Sequence, residues 1–185
     1  MGSQQRTLRS ALAIIPQDPV LFSGTVFFNL DPEGTKSEPA LWEALERVKL
    51  ADKIRSMDGR LDAVVSENGD SFSLGQRQLI CMARALLKDS KVLLMDEATA
   101  SVDVDTDKHI QELLRREFSG RTCITIAHRL NTIIDYDRIV VMDAGRVGET
   151  DTPKALLSDP DSQFSGLVRN TGADNEQKLR AAVGL

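Results

Sequence analysis

Between Ser71 and Glu97 the chain passes through a glycine-containing turn, one helix-length segment, and an apolar strand that ends in two adjacent carboxylates. Within the middle segment, Leu79, Met82, Ala83, Leu86 and Leu87 fall on one stripe at helical spacing, so Leu74 to Leu87 is expected to be a helix packed on a core. Lys91 to Met95 then reads as a buried strand delivering Asp96 and Glu97 from its carboxyl end. A helix feeding directly into such a strand commits the chain to packed α/β layers.

The segments beyond continue the alternation. Asp105 to Phe118 reads as a helix with Ile110, Leu113, Leu114 and Phe118 inward, and Thr122 to Ala127 as the next strand. A short helix near Asn131 to Ile134 follows, then a strand over Arg138 to Met142. Asp143-Ala144-Gly145-Arg146 reads as a hairpin turn into a short strand at Val147. A helix over Pro153 to Leu157 and a helical, polar tail complete the pattern. Upstream, Leu12 to Ile15 is a strand stopped by Pro16. Gly24 to Leu30 is short and aromatic and ends in the turn Asp31-Pro32-Glu33-Gly34. Ser37-Glu38-Pro39 starts a helix that places Leu41, Leu45 and Val48 at helical spacing. Asp58 to Asp70 reads as irregular. The expected architecture is an α/β domain with a parallel sheet, carrying a mostly helical insertion between Asp18 and Lys88.

Composition narrows the function classes. The 185 residues hold 41% apolar residues, enough for a core, and a net charge of −5 with scattered lysine and arginine disfavours nucleic acid as a partner. The longest uncharged stretch, Pro19 to Leu30, is too short and too interrupted to span a bilayer. The N-terminus has no signal-peptide pattern. Cys81 and Cys123 lie in apolar, regular segments, as reduced core thiols of a cytosolic setting do.

The turn at Ser73-Leu74-Gly75-Gln76 opens a helix, and such a turn offers backbone N–H groups and a positive dipole end to an anion. Ser73 can donate to a phosphate oxygen, and Gly75 allows close approach. The same residues also fit an ordinary capped helix, with Ser73 as N-cap and Gln76 at the third helical position. Asp96 is suited to hold Mg²⁺, and Glu97 to polarise a water for attack on a γ-phosphate, although a buried strand that simply ends in a solvated acidic turn carries the same pair. In Ile124-Thr125-Ile126-Ala127-His128-Arg129, His128 falls just past a strand, where an imidazole can contact a phosphate or serve structure alone. Gln17, in Pro16-Gln17-Asp18-Pro19, sits in the loop after the first strand. Its amide can reach Mg²⁺ or the water, although a proline-flanked polar loop needs no such role. Asp103 leads into a helix and His109 lies in the middle of one, a surface or packing position.

Taken in order, these motifs resemble the Q-loop, signature, Walker B, D-loop and H-loop of the ATP-binding-cassette (ABC) ATPases, from about Leu8 to about Gly172. Pro16-Gln17-Asp18-Pro19-Val20-Leu21-Phe22-Ser23-Gly24-Thr25 and Asn29-Leu30-Asp31-Pro32 resemble the second nucleotide-binding domain of the multidrug-resistance-associated proteins, subfamily C. Phe72-Ser73-Leu74-Gly75-Gln76, in place of Leu-Ser-Gly-Gly-Gln, is similar to the same branch. The resemblance implies a P-loop NTPase (RecA-like) fold with a helical subdomain. Residues 1–18 would supply a core strand and the Q-loop, 19–89 the helical subdomain, 90–160 the core with Walker B, D-loop and H-loop, and 161–185 a C-terminal helical tail.

It also implies the chemistry. Ser73, Gly75 and Gln76 would contact ATP held by a second nucleotide-binding domain in an ATP-sandwich dimer. Asp96, Glu97, Gln17 and His128 would serve this domain's own ATP and Mg²⁺, and Asp103 would lie at the dimer seam. Leu74 would face the less active of the two sites. Closure would move attached transmembrane domains at the cytoplasmic face of a membrane and export a substrate. No G-x-x-x-x-G-K-[ST] loop occurs in the sequence, so the Walker A strand-loop-helix is lacking and the domain is a partial one. The expectation is a piece truncated before the Q-loop that is inactive alone. The alternative is an interaction module lending its signature turn to a partner. An ABC ATPase of DNA repair or chromosome maintenance is disfavoured, because no coiled-coil insertion separates the motifs.

Overall fold

The structure, a computed structural model, describes residues 11–66, 71–96, 104–127 and 129–185. The chain divides into two compact units, residues 1–126 and 127–185. In the first unit, strands β1 (Leu12–Ile15), β4 (Val92–Asp96) and β5 (Thr122–Ile126) form a parallel sheet with β4 in the middle. The register aligns Ile15 with Met95 and Met95 with Thr125, so all three strands end on the same side. Parallel neighbours need crossover segments, and the long connections between these strands supply them.

The crossover from β1 to β4 holds β2 (Gly24–Thr25), α1 (Val26–Leu30), α2 (Glu38–Arg47), α3 (Ala51–Arg55), a 3₁₀ turn at Arg60–Asp62, β3 (Val64–Val65) and α4 (Leu74–Leu87). It is the mostly helical insertion expected from sequence, with one addition. β2 and β3 pair antiparallel, Gly24 with Val65 and Thr25 with Val64. Gly24 adopts φ +144°, and a Cβ there would meet the Phe28 ring at 3.1 Å, so glycine suits the turn into this ladder. Thr25 caps α1 by accepting from the Phe28 N–H at 3.0 Å.

α4 organises this unit. Nine of its fourteen residues are buried, Ile80, Met82 and Ala83 completely, and it packs against α1, α2, β1 and α5 (Val104–Glu117). Leu93 and Met95 from β4 and Ala13 and Ile15 from β1 close the same core. The opposite sheet face is open. Ile14 on β1 and Ile124 and Ile126 on β5 are each more than half exposed, and on β4, where a buried strand is expected, Val92 and Leu94 are only half-buried. The short strands alternate inward and outward as a sheet covered on one side does.

In the second unit, β6 (Ile139–Asp143) pairs antiparallel with β7 (Arg146–Asp151) through the turn at Ala144-Gly145, with a bulge between Val141 and Met142. Among the described residues β6 joins this hairpin and not the parallel sheet. Helices α6 (Leu130–Ile133), α7 (Pro153–Ser158), α8 (Gln163–Arg169) and α9 (Ala173–Ala182) complete the unit, whose core includes Ile139, Leu157, Phe164 and Val168. No helix among the described residues is long and apolar enough to cross a membrane.

Candidate functional site

The Ser73 turn forms a complete capping box. Ser73 Oγ accepts from the Gln76 N–H at 3.2 Å, and the Ser73 N–H donates to Gln76 Oε1 at 3.1 Å. The helix therefore starts at one defined residue. The Leu74 and Gly75 N–H groups in its first turn have no intrahelical acceptor, and the Ser73 hydroxyl proton and the Gln76 amide nitrogen remain free of the box. Ser73 is exposed, Gln76 half-buried and Gly75 buried. This set, neutral donors at the positive end of a 14-residue helix, fits a phosphate oxygen chemically.

A second group gathers at the carboxyl end of the parallel sheet. Gln17 is exposed in the bend two residues beyond Ile15, and Asp96 is exposed as the last residue of β4, one beyond Met95. Because Ile15 pairs with Met95, the sheet brings the Gln17 loop and Asp96 to the same end. A hard cation such as Mg²⁺ commonly takes one or two carboxylates plus water and phosphate oxygens, so Asp96 with the Gln17 amide is a suitable donor set. Among the described residues there is no cluster of three or more His, Cys, Asp or Glu side chains able to cage a metal. Glu97, Asp103 and His128 lie outside the described residues.

His109 is half-buried in α5, and burial, followed by nearby Lys49, moves its pKa below the ordinary value. Cys81 and Cys123 are free thiols whose pKa values are pushed up by burial, as unreactive core cysteines are. No spacing pattern in the sequence singles out Arg84 or Asn29. Asn29 is completely buried, and Arg84 donates to its side-chain oxygen at 2.7 Å and to the Val20 carbonyl at 2.8 Å. The available signal was one cation inside the apolar run of α4.

A parallel sheet with Gln17 and Asp96 at its carboxyl end, beside a helix whose first turn leaves N–H donors unpaired within the helix, is the architecture of an α/β nucleotide-binding domain. The chain belongs to the ABC transporter family, whose pattern it matches over residues 2–100. It is 54% identical over 175 residues to ABC transporter C family member 3 of Dictyostelium discoideum, covering 95% of this chain and 12% of that protein. To ATP-binding cassette sub-family C member 4 of Mus musculus it is 50% identical over 165 residues, covering 89% of this chain and 12% of the relative. The structure is similar to that of a bacterial Atm1-family ABC exporter with ATP bound, with a TM-score of 0.80 and 37% identity over 91% of this chain and 30% of the other. The chain thus spans about an eighth of the length of these curated relatives. Membership of the family carries nucleotide binding with it, and the subfamily C resemblance of the Gln17 and Ser73 segments holds along most of the chain.

Proposed function

We propose that this chain supplies the Q-loop, signature turn and catalytic carboxylates of a nucleotide-binding domain, the second of a subfamily C exporter, which couples ATP hydrolysis to substrate transport. The supporting observation is the parallel register of β1, β4 and β5, which collects Gln17 and Asp96 at one sheet end. In this reading Asp96 and Gln17 hold Mg²⁺, which when bound neutralises charge on the phosphates. Glu97 orients and deprotonates the attacking water, and His128 contacts the γ-phosphate. Ser73, Gly75 and Gln76 face outward to an ATP held by a second nucleotide-binding domain, and Asp103 lies at that seam. Transmembrane domains, in a membrane whose cytoplasmic face carries this domain, are the remaining partners.

The purified 185-residue chain, whose sequence has no Walker A loop, is expected to hydrolyse no ATP. In an exporter polypeptide carrying this segment, Glu97→Gln is expected to lower turnover by about 10²–10⁴-fold while ATP binding persists. Turnover by the isolated chain that Glu97→Gln abolishes would overturn the reading.

A further inference from the structure

The two groups of proposed contact residues sit on different segments, and one side chain joins those segments. Arg84 is half-buried on α4, about 15 Å along the helix from Leu74. Its Nε donates to the Asn29 carbonyl, while its terminal nitrogens donate to Asn29 Oδ1 at 2.7 Å and to the Val20 carbonyl at 2.8 Å. The guanidinium also lies 5.6 Å from the centre of the Phe22 ring and 3.8 Å from Cys81 Sγ. Each of these partners is neutral. Desolvation lowers the Arg84 pKa, as expected for a cation taken from water without a carboxylate.

Asn29 closes the other half of the arrangement. Its Nδ2 donates to the Phe22 carbonyl at 2.8 Å and the Thr25 carbonyl at 3.0 Å, and its Oδ1 accepts from the Phe22 N–H at 2.9 Å. Residues 20–29 are thereby folded around one buried amide, and that amide is pinned to α4 by a planar, multi-donor fork that lysine cannot reproduce. Gln17 lies three residues before Val20, with the buried Pro19 between them. A half-buried guanidinium with neutral partners only gains no ion-pair energy, so what its hydrogen bonds supply is fixed geometry between the two segments.

We propose that Arg84 is a positioning residue of the nucleotide site. Acting through Asn29 and the Val20 carbonyl, it holds the segment that follows Gln17 to the helix that begins at Ser73, so that the two groups of contacts move as one body. The functional part rests on the reading given above. The structural part is read without nucleotide, by hydrogen–deuterium exchange on the 185-residue chain.

In Arg84→Met, amides in residues 20–29 are expected to exchange at least about tenfold faster, while those of β1, β4 and β5 keep their rates. Arg84→Lys should fall between wild type and Arg84→Met. Asn29→Asp, which keeps the acceptor for Arg84 but loses both amide donors, should also accelerate this segment. If Arg84→Met does not fold, Arg84→Lys and Asn29→Asp carry the same comparison. Identical exchange over 20–29 in all folded variants, or equal acceleration across the whole first unit, overturns the proposal. In an exporter polypeptide carrying the segment, Arg84→Lys is expected to lower kcat with KM for ATP unchanged, because the phosphate cradle lies elsewhere. A raised KM with unchanged kcat would contradict the positioning role.

Discussion

Ser73 combines a structural and a binding role that two substitutions can separate. Ser73→Ala removes the acceptor for the Gln76 N–H while leaving the backbone bond from Ser73 to Gln76 Oε1. It orphans a donor in the first turn of the helix that packs on most of the first unit, at a cost of about 1 kcal/mol. Ser73→Asp retains an acceptor and adds negative charge at the positive end of the helix, worth about 0.3–1 kcal/mol in its favour. Stability should therefore rank Ser73→Asp at or above wild type, with Ser73→Ala lowest. Trp42 is the single tryptophan, lies in α2 against α4, and has Arg55 5.2 Å from its ring centre, so its fluorescence reports this unit. With a urea slope of about 1–3 kcal/mol per molar, Ser73→Ala should lower the midpoint by about 0.3–1 M. A Ser73→Asp midpoint as low as that of Ser73→Ala would refute the capping argument.

Leu93 is fully buried at the centre of the sheet, and Leu93→Ala should cost about 2–5 kcal/mol, seen as a lower urea midpoint. Burial alone would raise the Glu117 pKa, but hydrogen bonds from Arg47 at 2.6 Å and Arg116 at 2.7 Å hold it below the usual carboxylate range. The folded state then binds fewer protons than the unfolded one. The stabilisation is present above the unfolded pKa, about 4.3, and is lost as pH falls through the lower folded value. Between pH 5 and pH 3 (~4.3 being the unfolded reference) the wild-type midpoint should fall more than that of Glu117→Gln; parallel curves would show that the ion pairs contribute nothing.

Much of this architecture was legible because it rests on local periodicity. The α4 stripe and the Leu12–Ile15 strand fall where their apolar spacing places them, and α5 and β4 are displaced by one residue at their ends. The β2–β3 ladder was not legible. Each strand has two residues, too few to show a period, and their pairing across some forty positions leaves no local trace. The length of β7 was also hidden, since Arg146–Asp151 is polar, carries Gly148 and is mostly exposed. At the site, the capping box could be read from Ser73 and Gln76 because it is a three-residue interaction. The Arg84–Asn29 node spans 55 residues and uses side-chain amides and carbonyls, which no spacing rule encodes.

In the proposed function the Ser73 turn meets ATP held on another nucleotide-binding domain. Sedimentation of the 185-residue chain with a domain that carries its own Walker A loop tests this most directly, in the presence and absence of ATP. Wild type should associate only when ATP is present, and Ser73→Asp, folded but with a carboxylate facing the phosphates, should not. Association that ignores ATP, or that Ser73→Asp leaves unchanged, would contradict the account.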